Sequence, residues 1–229
     1  MINLDRNYLS TSLEKNNIIF MGDWSMIHNN VKTDFVSEEY SPQVDVSAYL
    51  HPLAAVIGHV IIGKRVMVAP FAVVRGDEGH PIHVGDDSNI QDGVVIHALE
   101  TEHNGHPINN NLVEVDGRKY AVYVGKRVSL AHQSQIHGPA YVGDSTFIGM
   151  QSLVFKAKVG KHCVVEPKSL VLGVSIADGR YVPAGSVIKT QVDADALPII
   201  DDSYIFKSLN DDVVHVNVSL ADGYKVKKI

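Results

Sequence analysis

The chain has 229 residues, 45% of them hydrophobic, enough to bury a sizeable core in one domain with short appendages. Its formal net charge is −6 and no Lys/Arg run stands out, which excludes the clustered basic footprint that a nucleic acid or an anionic membrane requires. A single cysteine, Cys163, excludes an intrachain disulfide framework and a Cys-rich zinc site.

The first 41 residues carry no motif and are assigned no function, with Trp24 read as packing. They contain no apolar segment of signal-peptide length, and no stretch of the chain reaches the ~20 apolar residues of a membrane span. The protein is expected to be soluble and cytoplasmic.

From residue 42 onward a rhythm of six dominates. Branched aliphatics or Leu occupy 44, 50, 56, 62, 68 and 74, then 84, 90 and 96, then 124, 130, 136, 142, 148 and 154. After a slip of one residue the beat resumes at 159, 165 and 171, and again at 176, 182 and 188. A period of six is neither the 3.6 of a helix nor the 2 of a long strand; it fits a short strand and a turn, repeated. Three such units close a triangular coil, and coils stacked at the ~4.8 Å strand spacing bury a continuous aliphatic column. The fold class is therefore an all-β solenoid over 42–191. Cys163, near the inward position 165, reads as a buried structural thiol.

Two breaks interrupt the beat. Between Val74 and Val84 four extra residues form a bulge around "RGDEGHP". Between Ile96 and Val124 an excursion, 98–122, is long enough for a compact solenoid to imply a functional loop.

With one face of the prism per sextet, positions 74, 96 and 136 stack on the third face. The residues that follow them, Arg75, His97 and His137, then form an outward column, because neighbours along a strand point to opposite sides. Two exterior imidazoles one coil apart can share a metal at nitrogen distances of about 2.0–2.1 Å. His132 belongs to the second face, around the corner, so a third ligand of this kind points to a neighbouring copy. Arg75, Asp77, Glu78, Asn89, Gln91, Asp92 and Glu100 make the same coils densely polar.

Beyond Ile188 the rhythm dissolves. In the C-terminal segment, 192–229, Val213, Val216, Leu220 and Tyr224 are spaced as a helical stripe, whereas "VVHVNVSL" alternates like a strand. A helix is favoured, since a solenoid needs its flank covered.

The stretches "RGDEGHPIHVGDDSNIQDGVVIHALET", "YAVYVGKRVSLAHQSQIHGPAYVGDSTFIGMQ" and "DGRYVPAGSVI" resemble the γ-class carbonic anhydrases, and more loosely the carboxysomal scaffold proteins that carry a related domain. The resemblance spans about Pro42 to Tyr224. It implies a left-handed parallel β-helix with a C-terminal α-helix packed antiparallel alongside, assembled as a homotrimer. It implies a zinc ion, with iron or cobalt also used in the family, held by His97 and His137 of one chain and His132 of the next. A metal-bound hydroxide at these trimer interfaces would convert CO2 to bicarbonate and a proton.

In the family's motif Glu78 assists water activation, Gln91 orients the hydroxide, Glu100 is the proton shuttle and Asn89 belongs to the same network. Arg75 and Asp77 match residues that pair across the subunit interface, and Asn217 one that positions CO2; Asp92 reads as structural. The chain departs from the archaeal prototype of the family in having His215 where that enzyme has tyrosine. Its excursion also carries Glu102, His103 and His106 in place of paired acids. Two other functions fit a hexapeptide solenoid: an inactive scaffold or interaction protein, and an acyl-CoA-dependent acyltransferase.

Overall fold

A computed structural model describes residues 26–227; Trp24 and the rest of the first 25 residues lie outside it. The chain winds into a left-handed parallel β-helix whose three faces are parallel sheets of seven, seven and eight short strands. Every inward position from 56 to 188 in the six-residue rhythm is buried, from Val56, Ile62 and Val68 through Ile136, Ile148 and Val165 to Ile188, and these side chains form one continuous core. Branched aliphatics suit these positions because their stiff side chains fill a pleated, enclosed surface without losing much rotamer freedom. Val44 and Leu50, on the first coil, are only partly buried against that core.

Between faces the backbone turns sharply, and many corner residues adopt positive φ, among them Asp87, Arg127, Gln133 and Gln151. A recurring aspartate satisfies the corners on one edge: Asp86, Asp144 and Asp178 accept the backbone N–H of Lys64, Lys126 and Lys161 at 2.9, 2.9 and 2.7 Å. Glycine precedes each lysine because the coils touch there; a Cβ on Gly125 would lie 2.4 Å from Asp144 Oδ1. Cys163 is buried in the core, its thiol pushed up to about 11 by burial.

The segment before the repeats is joined to them: strand Met26–His28 pairs in parallel with Ala55–Gly58 and extends the third face. The excursion is not a structureless loop but two small hairpins, Glu102–His103 with His106–Pro107 and Val113–Val115 with Arg118–Tyr120. Asp34 and Ser37 from the N-terminal segment hydrogen-bond to Asn104 and Glu102 of this insert.

After a short helix α1 (Gln191–Asp195), capped by the Thr190 side chain on Asp193 N, comes helix α2 (Leu209–Lys227). Near its start Val213 packs with Phe147 and Val164, and near its end Ala221 packs with Tyr49 and Met67 while Tyr224 stacks on Tyr49. The helix thus runs back along the second face, antiparallel to the progress of the coils. Its buried side chains are Asn210, Val214 and Ala221. The expected stripe is therefore rotated: Val213 and Tyr224 are partly buried, but Val216 and Leu220 stand 54% and 42% exposed. Close approach to the strands favours small Ala221 at the contact, beside Tyr224 stacked on Tyr49.

Candidate metal centre

Strand Val95–His97 pairs with Gln135–His137 in register, His97 opposite His137, and Val73–Gly76 lies on the other side with Val74 opposite Ile96. The outward column Arg75, His97, His137 expected from the rhythm is present. The two imidazoles meet edge to face, ring centres 5.3 Å apart.

The bulge turns its carboxylates onto this column. His97 Nε2 lies 3.1 Å from Glu78 Oε1 and 3.5 Å from Asp77 Oδ1, and Arg75 Nη1 donates to both oxygens of Asp77 at 3.1 and 2.9 Å. Arg75 and Asp77 thus meet within one chain. Neither carboxylate is aligned for a hydrogen bond to His97 Nε2, which is buried without a hydrogen-bonding partner among the described residues. Burial alone would lower the His97 pKa; the Asp77 and Glu78 carboxylates outweigh it and raise it. Negative charge that favours a proton on this nitrogen favours a metal cation in the same place. Oxygen and nitrogen atoms of Asp77, Glu78 and His97 lie within 4.8 Å of one another. His137 Nδ1 faces the Gly138 carbonyl at 3.2 Å; donating there leaves Nε2 with its lone pair, and burial holds the ring pKa below the ordinary histidine value. The donor set fits a transition-metal ion.

His132 lies apart from this group, at the corner beyond second-face strand Ser129–Leu130, with its side chain 53% exposed. Its Nδ1 meets Asp92 Oδ2 at 2.9 Å, which leaves Nε2 free and aimed away from Asp92. Carboxylate support of this kind is what a metal-ligating histidine ordinarily carries. Asp92, read from the sequence as structural, therefore holds an imidazole. The signal was available, since residues 92 and 132 are 40 apart, the same spacing that pairs Ile90 with Leu130.

A groove of about 830 Å³ between helix α2 and the second face is lined by His132, Asp92, Gln91 and Asn217, among apolar neighbours that include Met150, Val216 and Leu220. Gln91 Nε2 donates to Asn89 Oδ1, and Asn89 Nδ2 to Ser129 Oγ, each at 2.9 Å. This buried relay leaves Gln91 Oε1 as the end of the chain. Asn217 bonds back to the Val213 carbonyl. Glu100 is exposed on the insert, and His215 is exposed on α2 outside the lining of the groove. Thr101, fully buried and unremarked in the sequence, donates through Oγ1 to the Glu78 carbonyl at 2.6 Å.

The described residues include no helix long and apolar enough to cross a membrane. No protein-family model matches the chain. It is 57% identical over 208 residues to the carbonic anhydrase of Methanosarcina thermophila, covering 90% of this chain and 84% of that protein. It is 43% identical over 182 residues to the carboxysome assembly protein CcmM of a Nostoc species, covering 80% of this chain but 31% of that longer protein. Among solved structures, a hexapeptide transferase family protein from Anaplasma phagocytophilum superposes with a TM-score of 0.60 at 25% identity, over 81% of this chain and 93% of its own.

Proposed function

The chain belongs to the γ-class carbonic anhydrases, and on that premise we propose that it hydrates CO2 reversibly at a metal held by His97 and His137 of one chain and His132 of the next. The observation that carries this reading is the buried, unpartnered Nε2 of His97, in register with His137 and faced by two carboxylates. Zinc, iron and cobalt all accept imidazole donors, and zinc is the ion we assign. Bound there, the metal would bring the pKa of a water ligand toward 7 and so supply the nucleophile for the carbon of CO2.

The protein's own groups do the rest. Glu78 accepts the proton or hydrogen bond that the nucleophile presents, at a carboxylate already beside His97. Gln91, its amide fixed through Asn89 and Ser129, offers Oε1 as an orienting acceptor. Asn217, across the groove from Gln91, positions the substrate, and Asp92 keeps His132 in the tautomer that donates through Nε2. Exposed Glu100 on the insert passes the proton to buffer.

A trimer is supported by two surfaces that a single chain leaves bare. The exterior of the third face carries a row of Val73, Val95, Leu153, Leu170 and Val187 interrupted by Gln135, with Val95 and Val187 exposed and the others half-buried, and the groove margin carries Met150, Phe206, Val216 and Leu220. Covering both by rotation about a threefold axis completes three identical sites.

Stopped-flow CO2 hydration, with metal counted per chain, tests this reading. Activity that rises with metal to about one ion per chain supports it. A fully loaded protein without hydration would instead favour a scaffold role, a reading motivated by the likeness to the carboxysome assembly protein.

A further inference from the structure

Glu78 is a site carboxylate that the six-residue repeat cannot place. It stands on the bulge, where the regular pairing from coil to coil is interrupted, and its backbone must be held by other means. The Glu78 carbonyl accepts two hydrogen bonds from one residue of the insert, from Thr101 N at 2.8 Å and Thr101 Oγ1 at 2.6 Å. The same hydroxyl accepts the His80 backbone N–H at 2.6 Å, so it spans the two residues that flank Gly79. Gly79 itself has φ +106°, and a Cβ there would sit 2.6 Å from Thr101 Oγ1. From the other side His59 Nδ1 donates to the Gly79 carbonyl at 3.0 Å, its ring stacked on Tyr40 at 3.9 Å. Thr101 is in turn anchored by Ile108 N, which donates to its carbonyl across the hairpin at 2.8 Å.

We infer that Thr101 is a positioning residue: its buried hydroxyl locks residues 78–80 so that the Glu78 carboxylate faces His97 Nε2. The inference rests on the proposed role of Glu78 at the metal centre. A hydroxyl is required rather than bulk, because the contact both donates and accepts. The insert thereby acts on the centre through its root, independently of any proton that Glu100 exports.

The test uses the full-length, metal-loaded protein with Thr101→Val, Thr101→Ser, Glu78→Ala and the Thr101→Val/Glu78→Ala pair. Valine keeps the shape and removes the hydroxyl's contacts with the Glu78 carbonyl, the His80 backbone N–H and, at 3.1 Å, His80 Nδ1. We expect Thr101→Val to lower kcat for CO2 hydration about tenfold through misplacement of Glu78, with KM and metal content unchanged. Hydrogen–deuterium exchange should accelerate in residues 76–81, and Thr101→Ser should restore both readouts. In the Glu78→Ala background Thr101→Val should cause no further loss. Faster exchange with unchanged kcat, while Glu78→Ala is impaired, would reduce Thr101 to a loop anchor and overturn the inference. Full activity of Glu78→Ala would instead sink the Glu78 reading, and the inference with it. Should Thr101→Val not fold, His59→Phe keeps the stacking on Tyr40 and frees the Gly79 carbonyl. It should cost about threefold in kcat, again only while Glu78 is present; an undiminished kcat there would also overturn the inference.

Discussion

The first and third faces of the prism pose the same chemical question and answer it differently. Each presents an outward histidine against an aromatic ring one coil away: His83 against Tyr123 on the first face, His97 against His137 on the third. His83 lies flat on Tyr123, rings 4.6 Å apart and 7° from parallel, in a ladder that continues to Tyr141. Its Nδ1 reaches the Val124 carbonyl at 3.2 Å, and burial lowers its pKa with no carboxylate strong enough to reverse the shift. His97 stands edge-on to its neighbour, keeps a buried nitrogen unpaired, and has two carboxylates that do reverse the shift. On the proposed reading, imidazole in a repeat is mortar or ligand according to what the coil before it supplies. On the third face that supply is the bulge with Asp77 and Glu78.

If the contrast is right, His132→Ala should have the largest effect, emptying the metal from every shared site and reducing CO2 hydration by about a thousandfold. Metal analysis beside stopped-flow rates checks it, and a variant with full metal and full rate would break the contrast. Asp92→Ala should come next, weakening metal affinity about 10- to 100-fold because His132 loses the group that orients it. Competition with a chelator reads this directly.

A third comparison uses charge on the two exteriors. Val95→Arg should disrupt the proposed trimer, whereas Ile61→Arg, on the first face, should leave the mass in sedimentation unchanged. The smallest effect belongs to His83→Phe, which should leave hydration and metal content alone. His83 has a folded pKa below the ordinary 6.5, so its contribution is intact above about 6.5 and is lost as acid charges the ring. The thermal midpoint of His83→Phe should consequently fall less than that of the parent between pH 7.5 and 5.5.

Much of this could be read from the chain alone because the repeat converts position into direction. Once Ile96 and Ile136 were inward, His97 and His137 had to be outward and adjacent. What the repeat does not govern was not legible. The excursion departs from the period, so its two hairpins and the inward turn of Thr101 left no trace in the spacing. Helix α2 was legible as a helix but not by face: contact with the strands buries Asn210, Val214 and Ala221 and leaves Val216 and Leu220 outward, a rotation that the spacing of apolar residues alone does not set. Asp92 was legible in principle: the period across the excursion sets it opposite His132, but an aspartate beside a turn also has an ordinary structural explanation.

Helix α2 also works as a caliper. Its 19 residues span about 28 Å, and between its two grips it lies across four second-face strands, from Tyr49–Leu50 to Ser129–Leu130. Asn210 grips the Arg127 carbonyl near one jaw and Tyr224 lies on Tyr49 at the other. Stacked coils are nearly interchangeable, and nothing in their repetition fixes how many there should be; a rod of set length fastened at both ends does. A chain that lost or gained one coil between these grips would leave one jaw closing on nothing, so the coil count of this stretch is held by an element that is not part of the repeat.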